Sequence, residues 1–204
     1  MSIGTTTGSP PGPPWWNPSS LYRMTLEQYE SLIASGFFTE RDDVHLIDGY
    51  VVNRMAESPV HGTVCEAIRM AMGAILLAVA GWHPRSEKGV RFPSQTSIPR
   101  PDLAVVRGDW RDYLTHYPDA AAVALIAEVS VSSLDKDRAL ADIYGKAGIP
   151  VYWIIAVDDG QVEVYSNPGP NGYQLHEVLA PGHVLSVVVD GVKVGEIAVA
   201  DILP

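Results

Sequence analysis

The sequence predicts an α/β (α+β) fold: a central mixed β-sheet flanked by helices, entered through an N-terminal helix and a β-hairpin. Three observations carry this expectation. Short apolar runs suited to buried strands ("DLAVV", "AAVALIAEVSV", "PVYWIIAV") are separated by only a few helical patterns. The order helix, hairpin, helix, strands, helix, strands lacks the regular strand–helix alternation of a doubly wound sheet. No glycine-rich phosphate loop is present. At 204 residues, with 47% hydrophobic and 19% charged residues, the chain is long enough for one domain with a sizeable core. That single domain is expected over 21–204.

Residues 1–20 contain five prolines and few aliphatic side chains, and read as a disordered or surface-draped arm with Trp15 and Trp16 as anchors. Thr25, with Gln28 three residues on, forms a capping-box pattern and predicts a helix over 25–35 ending at Gly36. In "DVHLIDGYVVNRM", two apolar arms flank Asp48-Gly49, a strong short hairpin signal. A longer helix is expected from about His61 to Val79, with Val64, Ile68, Met72, Ile75 and Leu76 on one face. Strands follow around 83–92, at 102–107 and at 121–131. The segment "DKDRALADIYGKAG" reads as a helix closing on Gly148. "PVYWIIAV" and "QVEVYS" then pair across Asp159-Gly160, and 173–204 holds further short strands.

Composition excludes several functions. A net charge of −10 argues against a general nucleic-acid coat protein. The window Arg85–Arg111 is locally basic, with six basic against three acidic residues, and reads either as a phosphate-facing strip or as scattered solvated charges. The apolar stretch 71–82 is too short to span a bilayer, so no membrane partner is expected. The N-terminal residues lack the basic-then-apolar pattern of a secretory signal. A lone cysteine, Cys65, excludes an intramolecular disulfide and reads as a small buried hydrophobe in a chain of the reducing cytoplasm.

Glu128, inside "ALIAEVSV", poses the main chemical question. An unpaired charge buried in a strand costs several kcal/mol, so Glu128 needs a partner or a shifted pKa. Asp102 opens the apolar strand "DLAVV" 26 residues earlier. If the two strands are neighbours, both carboxylates converge at one sheet edge, where a divalent cation would offset their repulsion. An aspartate at a strand start also serves as an ordinary turn residue, and spacing alone does not separate the two.

"RPDLAVV", "IAEVSVSSLDKDR", "IYGKAGIPVYWII" and "VEVYSNPG" together resemble the Uma-type endonucleases, a branch of the PD-(D/E)XK, restriction-endonuclease-like nuclease superfamily. "YRMTLEQYESLIASGFF", "DDVHLIDGYVV", "SPVHGTV" and "VKVGEIAVADILP" are similar to other segments of that branch, so the resemblance runs over about 21–204. It implies a metal-dependent endonuclease hydrolysing phosphodiester bonds in DNA. It also implies a Mg²⁺ or Mn²⁺ site made by Asp102, Glu128 and the main-chain carbonyl of Val129. The superfamily's catalytic lysine falls at Ser130, and the branch's alternative lysine, within the following helix, falls at Leu140. His45 stands where the branch carries glutamate and could ligate a softer ion such as Mn²⁺.

His61 matches a histidine of the branch, as a metal-site or phosphate contact or as a helix-cap residue. Lys136 and Lys146 are candidate replacements for the missing lysine, with Lys146 the more solvent-facing. Asp137 and Arg138 match the branch's "DR" and read as an ion pair steadying the helix start. Tyr152 and Trp153 read as core aromatics. The departures at Ser130, Leu140 and His45 favour a second reading, a degenerate nuclease-fold module that binds DNA or a protein partner without cutting. By analogy a homodimer is expected, with the 173–204 strands as its interface.

Overall fold

The structure, a computed structural model, describes residues 21–39, 41–54 and 58–204; the proline-rich arm 1–20 lies outside the described residues. Helix α1 (Leu26–Ala34) opens on the expected capping box: Thr25 Oγ1 accepts from the Gln28 N–H and Gln28 Oε1 from the Thr25 N–H. Strands β1 (Val44–Ile47) and β2 (Tyr50–Asn53) form the hairpin. Its corner residues, Asp48 at φ 48° and Gly49 at φ 77°, both take the left-handed conformation that a tight hairpin turn of this kind requires.

Helix α2 (Pro59–Leu76) starts two residues earlier than the apolar periodicity suggests. Ser58 accepts from the His61 N–H, and Pro59 occupies a position whose missing N–H has no intrahelical partner to lose. Val64, Ile68, Met72 and Leu76 form its buried stripe. The helix stops at Leu76 because the chain tightens, with the Val79 N–H reaching back to the Leu76 carbonyl.

The central sheet has six strands in the order β3-β4-β5-β6-β7-β8. These are β3 (Trp82–Arg85), β4 (Leu103–Arg107), β5 (Val123–Ser130), β6 (Val151–Ala156), β7 (Gln161–Gly169) and β8 (Gly172–Leu179). Only β5 and β6 pair in parallel, joined by helix α3 (Leu134–Lys146) as a crossover; the other neighbours are antiparallel, so the sheet is mixed. Gly148, at φ 84°, closes α3. Strands β9 (Val184–Val189) and β10 (Val192–Ala198) form a separate pair against α2, where Gly195 lies so close to Ile75 that a Cβ would fall 2.7 Å from its Cγ2.

The stretch 83–92 is not one strand. Pairing ends at Arg85, the chain turns through Glu87 at φ 53°, and Arg91 and Phe92 make only isolated bridges, to Asp119 and Ser97. Four of the five arginines of the basic window pair with separate carboxylates, Arg91 with Glu30, Arg100 with Asp43, Arg107 with Asp190 and Arg111 with Asp109, while Arg85 lies over the Tyr113 ring. They are scattered charges rather than a strip. Among the described residues, no helix is long and apolar enough to cross a membrane.

Every residue of β5 is buried, as a strand covered on both faces must be. Leu103, Val105, Leu125, Ala127 and Trp153 pack toward α2; Ala104, Val106, Ile126, Tyr152 and Ile154 pack toward α3. Adjacent residues therefore serve opposite faces. Tyr152 and Trp153 are both core residues, as expected. The antiparallel register Leu103↔Ala127 carries the chemistry: it sets Asp102, one residue before β4, beside Glu128.

Candidate active site

Asp102 and Glu128 are locked together through the backbone. The Asp102 N–H donates to Glu128 Oε2 at 3.1 Å, and the Val129 N–H donates to Asp102 Oδ2 at 2.7 Å. Both carboxylates are buried. Because Val129 turns its N–H toward β4 while the Ser130 carbonyl bonds the Val157 N–H on the other side, strand alternation turns the Val129 carbonyl toward Asp102 as well. The second oxygen of Glu128, Oε1, accepts from the Tyr144 hydroxyl at 2.7 Å.

Burial, followed by the charges of Asp102 and Asp137, holds the Glu128 carboxyl well above the usual carboxylate range; burial and the Glu128 charge push the Tyr144 hydroxyl up in turn. The partner that "ALIAEVSV" demands is thus threefold: an N–H, a phenol and a raised pKa.

Two basic side chains, Arg54 and His61, approach Asp102 as well. Arg54 Nη2 lies 3.5 Å from Asp102 Oδ1 and 3.3 Å from Glu87 Oε1, and Arg54 Nη1 lies 3.5 Å from Asp43 Oδ1. His61 Nε2, in the first turn of α2, lies 3.1 Å from Asp102 Oδ2. A cavity of about 130 Å³, space for several waters, opens beside the two carboxylates. Arg54, Arg100 and Lys136 line it together with Val129, and so do Ser58 and His61 at the start of α2 and Ser133 and Asp137 at the start of α3. The first turns of two helices, whose N–H groups carry partial positive charge, therefore border one acidic pair.

His45 lines the same cavity and is 5% exposed, and among the described residues neither of its ring nitrogens has a hydrogen-bond partner. Burial, then the positive charges of Lys136, Arg54 and Arg100, pushes its pKa down to about 4, so the ring is neutral at pH 7. Lys136 and Leu140 both line the cavity wall. Lys146 pairs with Asp142 one helical turn back, on an exposed face.

Ser130 does not line this cavity; its hydroxyl lies 3.3 Å from that of Ser133, which donates to Asp137 Oδ2 at 2.6 Å. Asp137 and Arg138 are not an ion pair. Arg138 Nε donates to Glu163 on β7 at 3.0 Å, while the Asp137 carboxyl is buried and its pKa is raised by that burial. Successive helix residues point in different directions, so a neighbouring pair cannot face each other. Cys65 is only partly buried; it packs against the core on the α2 side, and its Sγ lies 3.5 Å from His61 Nδ1.

Sequence reasoning missed Arg54, Tyr144 and the site role of Arg100. For Tyr144 a signal existed: Asp137, Leu140 and Tyr144 lie at i, i+3 and i+7, one stripe of α3, and Glu128 needed a donor. For Arg54 the hairpin register offered only its pairing with Asp43, directly across the turn; Glu87 and Asp102 come from elsewhere in the chain.

The donor set suits a hard divalent cation. It offers two buried carboxylates, one of which resists ionisation for want of a counter-charge, together with a carbonyl and room for waters. That is the arrangement by which Mg²⁺ or Mn²⁺ is held, with one or two carboxylates and retained waters.

The fold has relatives. The crystal structure of a "putative nuclease belonging to DUF820" from Anabaena variabilis ATCC 29413 superposes with a TM-score of 0.65 at 16% identity, covering 88% of this chain and 97% of that one. At that identity the likeness concerns the fold. No curated protein matches significantly. The model of the Uma2 family, described as "Putative restriction endonuclease", matches residues 26–199, a span that contains α1, the hairpin, both helices at the cavity and the whole central sheet. The chain belongs to the Uma2 family.

Proposed function

We propose that this chain is a metal-dependent endonuclease that hydrolyses phosphodiester bonds in DNA, with Mg²⁺ or Mn²⁺ held by Asp102, Glu128 and the Val129 carbonyl. One observation carries the reading. Two buried carboxylates, brought together by adjacent strands, line a cavity whose other walls include three cationic side chains and the first turns of two helices. An acidic pair alone would repel a nucleic acid; an acidic pair ringed by Arg54, Arg100 and Lys136 can hold a cation and still face a phosphate.

Bound there, the cation would supply Lewis acidity at the phosphoryl oxygen and lower the pKa of an attacking water. The protein groups have separate tasks. Arg54 and His61 orient the Asp102 carboxylate, and Tyr144 fixes Glu128 in the rotamer that turns its other oxygen to Asp102. Lys136 is the cation placed to offset charge that builds on the phosphate, the task assigned elsewhere in the superfamily to the lysine absent at Ser130 and Leu140. Single-turnover cleavage of duplex and single-stranded DNA in Mg²⁺ and Mn²⁺, with Glu128→Gln as the inactive control, tests this. Metal-dependent cutting that disappears in Glu128→Gln supports it; equal cutting by both proteins overturns it.

A second reading keeps the fold and drops the chemistry: a module that binds DNA without cleaving it. Leu140 favours it, since an apolar wall replaces a cation beside the carboxylates. Tight oligonucleotide binding with no metal-dependent cutting would select this reading.

A further inference from the structure

We propose that His61, Cys65 and Asp102 form a second metal site, distinct in chemistry from the oxygen-donor pair, that takes a thiophilic ion such as Zn²⁺. Helix α2 places His61 and Cys65 four residues apart, hence one above the other on the same face, and Asp102 meets them from the start of β4. His61 Nε2 lies 3.1 Å from Asp102 Oδ2, and Cys65 Sγ lies 3.9 Å from His61 Nε2. The three potential ligand atoms all fall within 4.8 Å of one another. Around a tetrahedral Zn²⁺, with the usual N, O and S bond lengths, such donor pairs stand ~3.4–3.6 Å apart. The His61–Asp102 and His61–Cys65 separations bracket that range, and the third pair lies within 4.8 Å, so side-chain rotations bring the set together.

The donor types point the same way. Thiolate with imidazole and carboxylate is a poor set for Mg²⁺, which selects oxygen, and a good one for Zn²⁺ or Co²⁺. Three protein ligands leave a fourth position for water. Cys65 is partly exposed, so an ion can reach the sulfur. On binding, the Cys65 thiol proton passes to solvent as the metal–sulfur bond forms. Asp102 would belong to both sites, so, on the nuclease reading above, Zn²⁺ acts as an inhibitor by taking a ligand from the catalytic cation.

The test uses the full chain, reduced and metal-free, titrated with Co²⁺ and then Zn²⁺. The expected result is a near-ultraviolet thiolate-to-cobalt band that Zn²⁺ abolishes, together with protection of Cys65 from iodoacetamide by Zn²⁺. Cys65→Ser should lose the band and weaken Zn²⁺ binding by at least about tenfold, measured by calorimetry. Glu128→Gln, which disables the proposed catalytic cation site, should keep both, so failure of the nuclease reading would leave this result intact. A cobalt spectrum without the sulfur band, undiminished Zn²⁺ affinity in Cys65→Ser, or unchanged alkylation of Cys65 in excess Zn²⁺ would each overturn the proposal.

Discussion

Across the β4–β5 seam, Asp102 and Glu128 are joined by the Asp102 N–H, which donates to Glu128 Oε2 at 3.1 Å, while Asp102 Oδ2 is occupied by the next N–H along, that of Val129. Backbone groups that a continuing ladder would have used are spent on the two carboxylates, and this fixes both side chains at the sheet's end. The arrangement is rigid but electrostatically costly, since nearby carboxylates oppose the ionisation of Glu128.

Glu128→Gln should therefore stabilise the metal-free protein. Glutamine keeps an oxygen for the Asp102 N–H, and its amide can donate to the Tyr144 hydroxyl, which can accept as well as donate. The sign follows from a raised carboxyl pKa: the cost of ionising Glu128 is absent at low pH and grows as pH rises through the raised value. The gain in melting temperature should increase with pH, and Mn²⁺ should raise the wild-type melt alone. A variant less stable than wild type at pH 8, with metal shifting both melts equally, would show that the carboxylates are not coupled.

His45 makes the opposite contribution. Its pKa falls from 6.5 to about 4 on folding, so between those values the unfolded chain takes up a proton that the folded chain refuses. Stability should be lost as pH falls through this window, by up to ~3 kcal/mol. Urea unfolding of wild type and His45→Leu across pH 7 to 4 isolates the effect. Wild type should lose stability relative to His45→Leu as pH falls through this window, and parallel curves would contradict the assignment.

Arg54 is the cation on which the site depends. Replacing it with Met leaves Asp102 buried beside another carboxyl, at a cost of about 3 kcal/mol; the exposed partners Asp43 and Glu87 add little. Arg54→Lys should recover only part, because a single ammonium cannot span three carboxylates as the guanidinium fork does. Equal stability of Arg54→Met and wild type in urea would show that the pairing with Asp102 contributes nothing.

Leu140→Lys asks whether a cation at the cavity wall is what the site lacks. Loss of a preorganised electrostatic group commonly costs ~10²–10³ in rate, so an added lysine should raise cleavage at least about tenfold, at some cost in stability because Leu140 is buried. Wild-type cutting is expected to be slow and to fall further in Lys136→Ala. Fast wild-type cleavage unaffected by Lys136→Ala would place the required cation on Arg54 or Arg100.

Much of this molecule is determined locally and is legible along the chain. The capping box at Thr25, the Asp48-Gly49 corner and the apolar stripe of α2 each depend on residues within a few positions of one another, so periodicity and turn chemistry reveal them. The two acidic strands are also local patterns, and placing Asp102 and Glu128 together needs only that neighbouring strands pair. Register and helix rotation are different, because they emerge from packing the whole core. Those decided that Ser130 turns to Ser133 rather than to the cavity, that Tyr144 reaches Glu128, that Arg54 adds carboxylates from two distant segments to its hairpin partner Asp43, and that Cys65 sits against His61. The strand pairs and stripes follow from short-range hydrogen bonding and hydrophobic spacing, whereas the polar contacts of the site require side chains up to 57 positions apart to meet within about 3.5 Å, which only the packed tertiary structure can arrange.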